Sequence, residues 1–482
     1  MKEAHNILFI TTDQQRQDSL PCYGAHFMHT PNLNKLADEG IVFDNCISVS
    51  PVCQPARASF ITGQYPYVNG VSDNFQWISP QTPVISDIFR EAGWQTAAIG
   101  KMHFHPWNNP QGFEYRVIAE DKRHFFLLDD WTLFLERRGL KREHPATIKG
   151  YRESLGAIVS PLPEDYHIDS FIGEEAVKWI EQLEDRPFFG WISFNSPHDP
   201  YDPPENLADL YKNAPITAPT GDREELSSKP AYQQEIIPFF RDNLLYLTDY
   251  SYMDREKIRR MREYYLATIT LVDRQIGRIL DALERKGLKE TTLIVFSSDH
   301  GDHLGDHGLP FKSTFYESAL KVPLLISGPG VSRGERSSSF IDWLDLHVLF
   351  LKTAGLNIPE HIQGKDVSPL LESPSLRLRE EAFGELAGAV MVTTERYKLV
   401  LCENGEGELY DLKENPPEVF NHFDDPLYGD VKEGLREKLL RHLLAHGRVK
   451  RFGGGSFESP PERKAVLEEI KRKIERGDYP GL

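Results

Sequence analysis

Cys53 opens the run Cys53-Gln54-Pro55-Ala56-Arg57-Ala58-Ser59-Phe60-Ile61-Thr62-Gly63, in which a nucleophilic sulfur stands four residues before an arginine. A proline near a helix N-terminus costs nothing there, because its missing N–H had no partner, so the run reads as a helix that starts at the cysteine. Cys53 would then sit at the positive end of a helix dipole with Arg57 one turn further in, a setting that suits attack on an anion. Two apolar runs of buried-strand length end in acids: residues 5–12 lead into Asp13-Gln14, and residues 292–298 lead into Asp299-His300. In open α/β sheets the working residues gather beyond the carboxyl ends of the strands, so these acids can converge from opposite ends of the chain. Gly93-Trp94-Gln95-Thr96-Ala97-Ala98-Ile99-Gly100-Lys101-Met102-His103 reads as another strand, with Lys101 and His103 expected on one side because alternate strand residues share a face. His198 follows the strand Phe188 to Phe194 in the proline-fixed loop Ser196-Pro197-His198-Asp199-Pro200, and Lys312 follows Gly305-Asp306-His307-Gly308. Taken singly, a histidine after a strand is more often structural and a loop lysine more often solvated. Gathered at strand ends, they predict a shared anion pocket. His303 and His307 have a spacing that would suit zinc, but no cysteine or further histidine completes a set, and they read as loop structure or pocket rim.

The run from Cys53 to Gly63 resembles the segment that sulfatases convert from cysteine to formylglycine, and Gly93 to His103 is similar to the second signature of that family. Asp13, Gln14, Asp299 and His300 resemble the side chains with which sulfatases hold a divalent cation, with residue 53 beside them. Oxygen-rich ligation suits calcium or magnesium. Calcium is the preferred ion with magnesium or manganese as alternatives, while Gln where a second Asp is commoner and His where Asn is commoner give this site less negative charge and one possible nitrogen ligand. The resemblance implies a type I, formylglycine-dependent sulfatase of the alkaline phosphatase-like superfamily. It implies an α/β fold: a large mixed, mostly parallel sheet sandwiched by helices, with a smaller C-terminal α+β domain containing an antiparallel sheet. It also implies roles. Hydrated formylglycine at position 53, steadied by the metal and Arg57, attacks sulfur; His198, aided by Lys312, protonates the leaving oxygen; and His103 takes the proton that lets sulfate depart. Lys101 binds and orients, and Asn74, within Ser72-Asp73-Asn74, is a candidate on the substrate side together with His198 and Lys312. A formylglycine-generating or anaerobic maturase is the implied partner. Phosphonate or phosphate ester hydrolases of the same superfamily are the nearer alternative, but they tend to replace the Lys-x-His pair that is intact here; a non-catalytic binding homologue is the more distant one.

Length and composition agree with such an enzyme. At 482 residues the chain exceeds one ordinary core, and a catalytic domain over residues 1–371 with a C-terminal unit over 372–482 is expected. A formal net charge of −18 argues against nucleic acid or anionic membranes as partners, so a sulfate ester must be drawn by a local cluster of cations. An oligomer is compatible with all of this. The cysteines Cys22, Cys46, Cys53 and Cys402 show no paired spacing. No signal peptide and no membrane span are visible, which predicts a cytoplasmic protein. Residues 106–163, irregular and rich in aromatic and charged side chains, and residues 201–255, rich in Pro, Asp and Tyr, read as insertions that cover the site. Helices are expected at 32–39, 84–92, 169–184 and 257–286, short antiparallel strands after Leu371, and a covering helix at about 431–446. Beyond Gly453-Gly454-Gly455 a final charged helix is expected.

Overall fold

The structure, a computed structural model, describes residues 5–123, 127–144, 147–242, 248–413, 418–446, 455–456 and 472. Its main sheet is built from β1 (Asn6–Asp13), β2 (Gly40–Cys46), β4 (Gln95–Gly100), β5 (Tyr115–Ile118), β6 (Phe188–Pro197), β7 (Thr292–Ser298), β8 (Leu324–Ser327) and β9 (Glu335–Ile341), while β3 (Gln76–Trp77) lies outside it. The strand order is β5-β4-β6-β1-β7-β8-β2-β9. Only β8 runs antiparallel to its neighbours β7 and β2, so the sheet is mixed but mostly parallel. At its centre β1 is buried at all eight positions, as its near-continuous apolar sequence demands when helices cover both faces. Leu8 and Ile10 point into a core shared with the helices Ile168–Gln182 and Arg255–Arg285. Ile7 and Phe9 point the other way, into a core shared with the helices Cys53–Thr62 and Trp343–Thr353.

A second sheet of β10 (Glu381–Leu386), β11 (Ala389–Thr394), β12 (Tyr397–Cys402) and β13 (Gly407–Asp411) is wholly antiparallel in that order. Strand alternation gives it two apolar faces: Ala382, Met391 and Val400 pack on Ile47, Phe315 and Phe340 of the larger unit, and Val392, Leu399 and Leu409 take Leu435 and Leu439 of the helix Gly429–His446. β14 (Gly455–Ser456) pairs with β3. The architecture is the expected α/β sandwich with a smaller antiparallel sheet. Among the described residues no helix is long and apolar enough to cross a membrane.

Residues 106–163 are not only an excursion. Tyr115–Ile118 forms the edge strand of the main sheet and Asp130–Glu136 a helix after it. A strand of four residues carries too little alternation to be read from sequence, and the same holds for β8; β9 reads as polar because it is an edge. The final charged helix falls outside the described residues.

Candidate active site

Strand register brings the chemistry together. Thr12 of β1 is level with Ser298 of β7, and Asp13 is level with Pro197 of β6, so Asp13, Asp299 and His198 leave the sheet side by side at its carboxyl edge. Gly100 of β4 pairs with Ser193 of β6, which sets Lys101 just beyond the same edge. Gly100 has φ +98, and a Cβ there would lie 2.0 Å from the Ser193 carbonyl oxygen, so only glycine lets the two strands close here.

Cys53 is the first residue of its helix, after Val52 in an extended conformation. That helix is buried on nearly every side and is anchored by Phe60, whose ring lies 4.8 Å from Phe9 and 4.9 Å from Trp191. The sulfur sits 3.6 Å from Asp13 Oδ1, 3.2 Å from His300 Nε2 and 2.9 Å from Lys312 Nζ. One turn in, Arg57 donates from Nε to Asp299 Oδ2 at 2.9 Å and from Nη2 to Asp13 Oδ2 at 3.1 Å. Arg57 therefore locks the two strand-end acids to the helix that carries the sulfur. Gln14, at φ 70, donates its backbone N–H to Asp299 Oδ1 at 3.1 Å, while its Oε1 accepts from Lys312 at 2.7 Å. Gln54 accepts from the Phe75 N–H at 2.6 Å and its own N–H donates to Asn74 Oδ1 at 3.2 Å, which fixes the loop bearing Asn74 at the pocket wall.

Lys101 Nζ lies 3.0 Å from Asp13 Oδ2 and 3.7 Å from Asp121. His103 lines the same pocket as Cys53 but not through strand alternation: it stands at φ 58, past the strand, and Glu120 Oε1 accepts its N–H at 3.2 Å. His198 is held by its Nδ1, 2.7 Å from the Asp199 carbonyl oxygen, which turns Nε2 toward Asp121 at 3.8 Å and Asp13 at 3.9 Å. Asp121 and Arg123 are functional candidates that the sequence reading missed. Arg123 bridges Asp121 at 2.7 Å and Asp199 at 2.9 Å, and both line the pocket. Their signal was the run Glu120-Asp121-Lys122-Arg123, four charged residues that are all buried directly after β5. His303 and His307 lie away from the pocket: His303 bonds Ser318 at 2.8 Å, and His307 stacks on Tyr316 at 3.7 Å. They are loop structure.

Electrostatically the site is built to hold negative charge. Burial would push the Cys53 thiol up, but Lys312, His300 and Lys101 outweigh it and hold the thiol well below its ordinary range. Burial would also raise Asp13; Lys101, His198 and Lys312 reverse that and keep it ionised. Asp299 is pushed up, first by burial and then by the charge of Asp13 beside it. Asp13, Cys53, Asp299 and His300 each offer a ligand atom within 4.8 Å of the others. Two buried acids crowded together and an adjacent imidazole are a donor set that fits a divalent cation.

The pocket over Cys53 is a cleft of about 540 Å³. Asn74, His103, Asp121, Arg123, His198 and Lys312 line it, together with Tyr232, Ile236, Phe239 and Phe240 from the 201–255 segment and Leu386 and Ala387 at the end of β10.

Fold and site together define a hydrolase of the alkaline phosphatase-like class, which gathers a nucleophile, two acids and several cations at the carboxyl edge of a mixed sheet. Residues 5–356 match the sulfatase family, and residues 305–444 match the family described as N-sulphoglucosamine sulphohydrolase, C-terminal. The chain belongs to the sulfatase family and is a sulfuric ester hydrolase. It is 30% identical to a choline-sulfatase of Rhizobium meliloti over 97% of this chain and 91% of that one. It is 29% identical to an arylsulfatase of Clostridium perfringens, over 94% and 96% of the two chains. A solved phosphonate monoester hydrolase of Agrobacterium radiobacter superposes with a TM-score of 0.80 at 26% identity, covering 92% of this chain and 96% of that one.

Proposed function

We propose that this chain cleaves the sulfate monoester of a compact alcohol, with a formylglycine made from Cys53 by a formylglycine-generating or anaerobic maturase and a divalent cation held by Asp13, Gln14, Asp299 and His300. The observation that carries this reading is the convergence of Arg57, Lys101 and Lys312 on Asp13 and the buried sulfur of residue 53. A cation there, calcium first and magnesium or manganese next, would lower the pKa of a bound hydroxyl and offset charge on the ester oxygens. The chain's own residues do the rest. A sulfate ester is already an anion, so Lys101, Lys312 and Arg57 offset the charge that a nucleophile must approach, and they are preorganised by ion pairs rather than recruited. His198 Nε2, directed inward because Nδ1 is engaged by Asp199, protonates the departing alkoxide oxygen. His103 accepts the proton of the second hydroxyl at position 53, which releases sulfate and restores the carbonyl. Asp121 and Arg123 act as positioning residues for Lys101 and for the His198 loop.

The wall limits the alcohol. Phe239, Phe240, Ile236 and Leu386 offer apolar surface, while Asp73 and Glu235 would repel further sulfate groups. An aryl sulfate, a small alkyl sulfate or a sulfated monosaccharide fits this better than a long polyanionic glycan. The relatives' names, choline-sulfatase and arylsulfatase, point the same way. The test is kcat/KM on aryl sulfate, choline sulfate, glucosamine sulfates and an aryl phosphonate, with peptide mass spectrometry of residue 53 on the same preparation. Sulfate turnover together with the aldehyde mass is expected. Faster hydrolysis of the phosphonate, or full activity with an unmodified thiol, would overturn the reading.

A further inference from the structure

The helix Gly429–His446 ends against the antiparallel sheet with two histidines one turn apart, His442 and His446. Residues at i and i+4 are neighbours on a helix surface, and beside this pair β10 presents the buried carboxylate of Glu385. Glu385 Oε1 lies 3.7 Å from His442 Nε2 and 3.6 Å from His446 Nδ1, and the three donor atoms all fall within 4.8 Å of one another. Donors around a tetrahedral zinc, each about 2.0–2.1 Å from the metal, stand roughly 3.3 Å apart, so the cluster is only slightly wider than a filled site. His442 Nε2 makes no hydrogen bond among the described residues although its side chain is 10% exposed. The ring is packed in place by Phe383, stacked at 3.9 Å, and by the edge of Tyr65 at 4.6 Å. Glu385 Oε2 accepts the Tyr67 N–H at 2.7 Å, which aims Oε1 at the histidines.

We propose that Glu385, His442 and His446 form a second metal site, taking a borderline divalent ion, zinc foremost, with a position left for water. Two imidazoles and one carboxylate favour zinc over calcium, which requires a shell of oxygens. Burial, with Arg379 adding to it, pushes the His442 pKa down to about 3 and keeps the ring in the neutral form that ligates. The site is structural. It ties the end of the C-terminal helix to β10 and to the Tyr65–Tyr67 turn that follows the Cys53 helix. Leu386 and Ala387, next in chain to Glu385, line the catalytic cleft, so the ion would stiffen that wall. Nothing in this proposal depends on the hydrolytic reading.

The test removes the competing cluster first. Full-length Cys53→Ala/Asp299→Ala protein, stripped with chelator, is titrated with zinc chloride beside the same protein carrying His442→Gln. One zinc of micromolar or tighter affinity is expected in the former, and at least a tenfold loss of affinity in the latter. Zinc should also raise the melting temperature of the former alone. Should the His442→Gln protein fail to fold, cobalt(II) added to the stripped Cys53→Ala/Asp299→Ala protein decides. Visible d–d bands without thiolate charge transfer, displaced by zinc, support the site; their absence overturns it. Zinc affinity unchanged by His442→Gln, as expected for a plain imidazole–carboxylate pair, also overturns it.

Discussion

Two histidines meet the pocket in different ways, and their roles separate experimentally. His198 is held through Nδ1 at the Asp199 carbonyl oxygen with Nε2 3.4 Å from Arg123 Nη2, whereas His103 lies beyond the end of β4 in a left-handed conformation with Glu120 accepting its N–H. Loss of a general acid matters most when the leaving alkoxide is poor. His198→Ala should therefore cost about a hundredfold to ten-thousandfold on an alkyl or sugar sulfate and far less on an activated aryl sulfate. His103→Ala should instead give a burst of released alcohol and then slow turnover on every substrate, because its proton transfer follows ester cleavage. Stopped-flow measurement on an aryl and a sugar sulfate distinguishes them. Equal losses on both substrates for His198→Ala, with no burst in His103→Ala, would mean that the two assignments are wrong.

Among the elements, the close approach of β4 to β6 sets Lys101 against Asp13 beside the sulfur. Gly100→Ala would drive a Cβ to 2.0 Å from the Ser193 carbonyl oxygen at a backbone angle that side chains resist, and Lys101 follows directly. A loss of about 2 kcal/mol or more in denaturant unfolding is expected, with activity falling alongside. Gly24→Ala is the control: its φ is +111 but nothing lies within 4 Å, so only backbone strain of about 1 kcal/mol is expected and activity is spared. Equal effects of the two substitutions would show that the strand contact is not what glycine provides there. The helix Cys53–Thr62 gets no side-chain bond from Val52 at its start; Asn74 Oδ1 from a separate loop accepts the Gln54 N–H, and Phe60 sits among Phe9, Trp191 and Trp343.

Across the whole molecule, the two acids of the candidate metal cluster, Asp13 and Asp299, come from strands far apart in the sequence, and the charge of Asp13 helps push Asp299 up in the folded state. A cation that binds only this assembled pair stabilises the fold by mass action, about 2.7 kcal/mol at a hundredfold excess over its Kd. Chelation should lower the melting temperature by several degrees and abolish turnover, and calcium, magnesium or manganese should restore both to different extents. Asp299→Ala should lose activity by several orders of magnitude yet melt with little sensitivity to chelator. Activity that survives a strong chelator, with no metal found by elemental analysis, would refute the cation. The net charge of −18 makes the local cluster of Arg57, Lys101 and Lys312 the more necessary, since the surrounding field opposes an anionic substrate.

Local signals in the sequence were enough for the chemistry that rides on strong motifs. The Cys53 helix start, the acids ending the apolar runs before Asp13 and Asp299, the Lys101–His103 pair and the strand before His198 are all patterns within a dozen residues, and apolar runs of that kind predict buried parallel strands. Edge strands such as Tyr115–Ile118 were hidden because short, partly polar pieces owe their conformation to a partner strand rather than to their own periodicity. Asp121 and Arg123 were hidden for a related reason. A buried charge looks like a surface charge in sequence, and only the fold supplies the counter-charges Lys101 and Asp199 that make its burial tolerable. By itself the sequence determined the residue types and the strand ends, and its resemblance to the sulfatase signatures implied the class of reaction. The tertiary structure alone decided which groups touch, which wall faces the alcohol and where Glu385 meets His442 and His446, because those contacts join segments tens to hundreds of residues apart and depend on register and packing that no local pattern encodes.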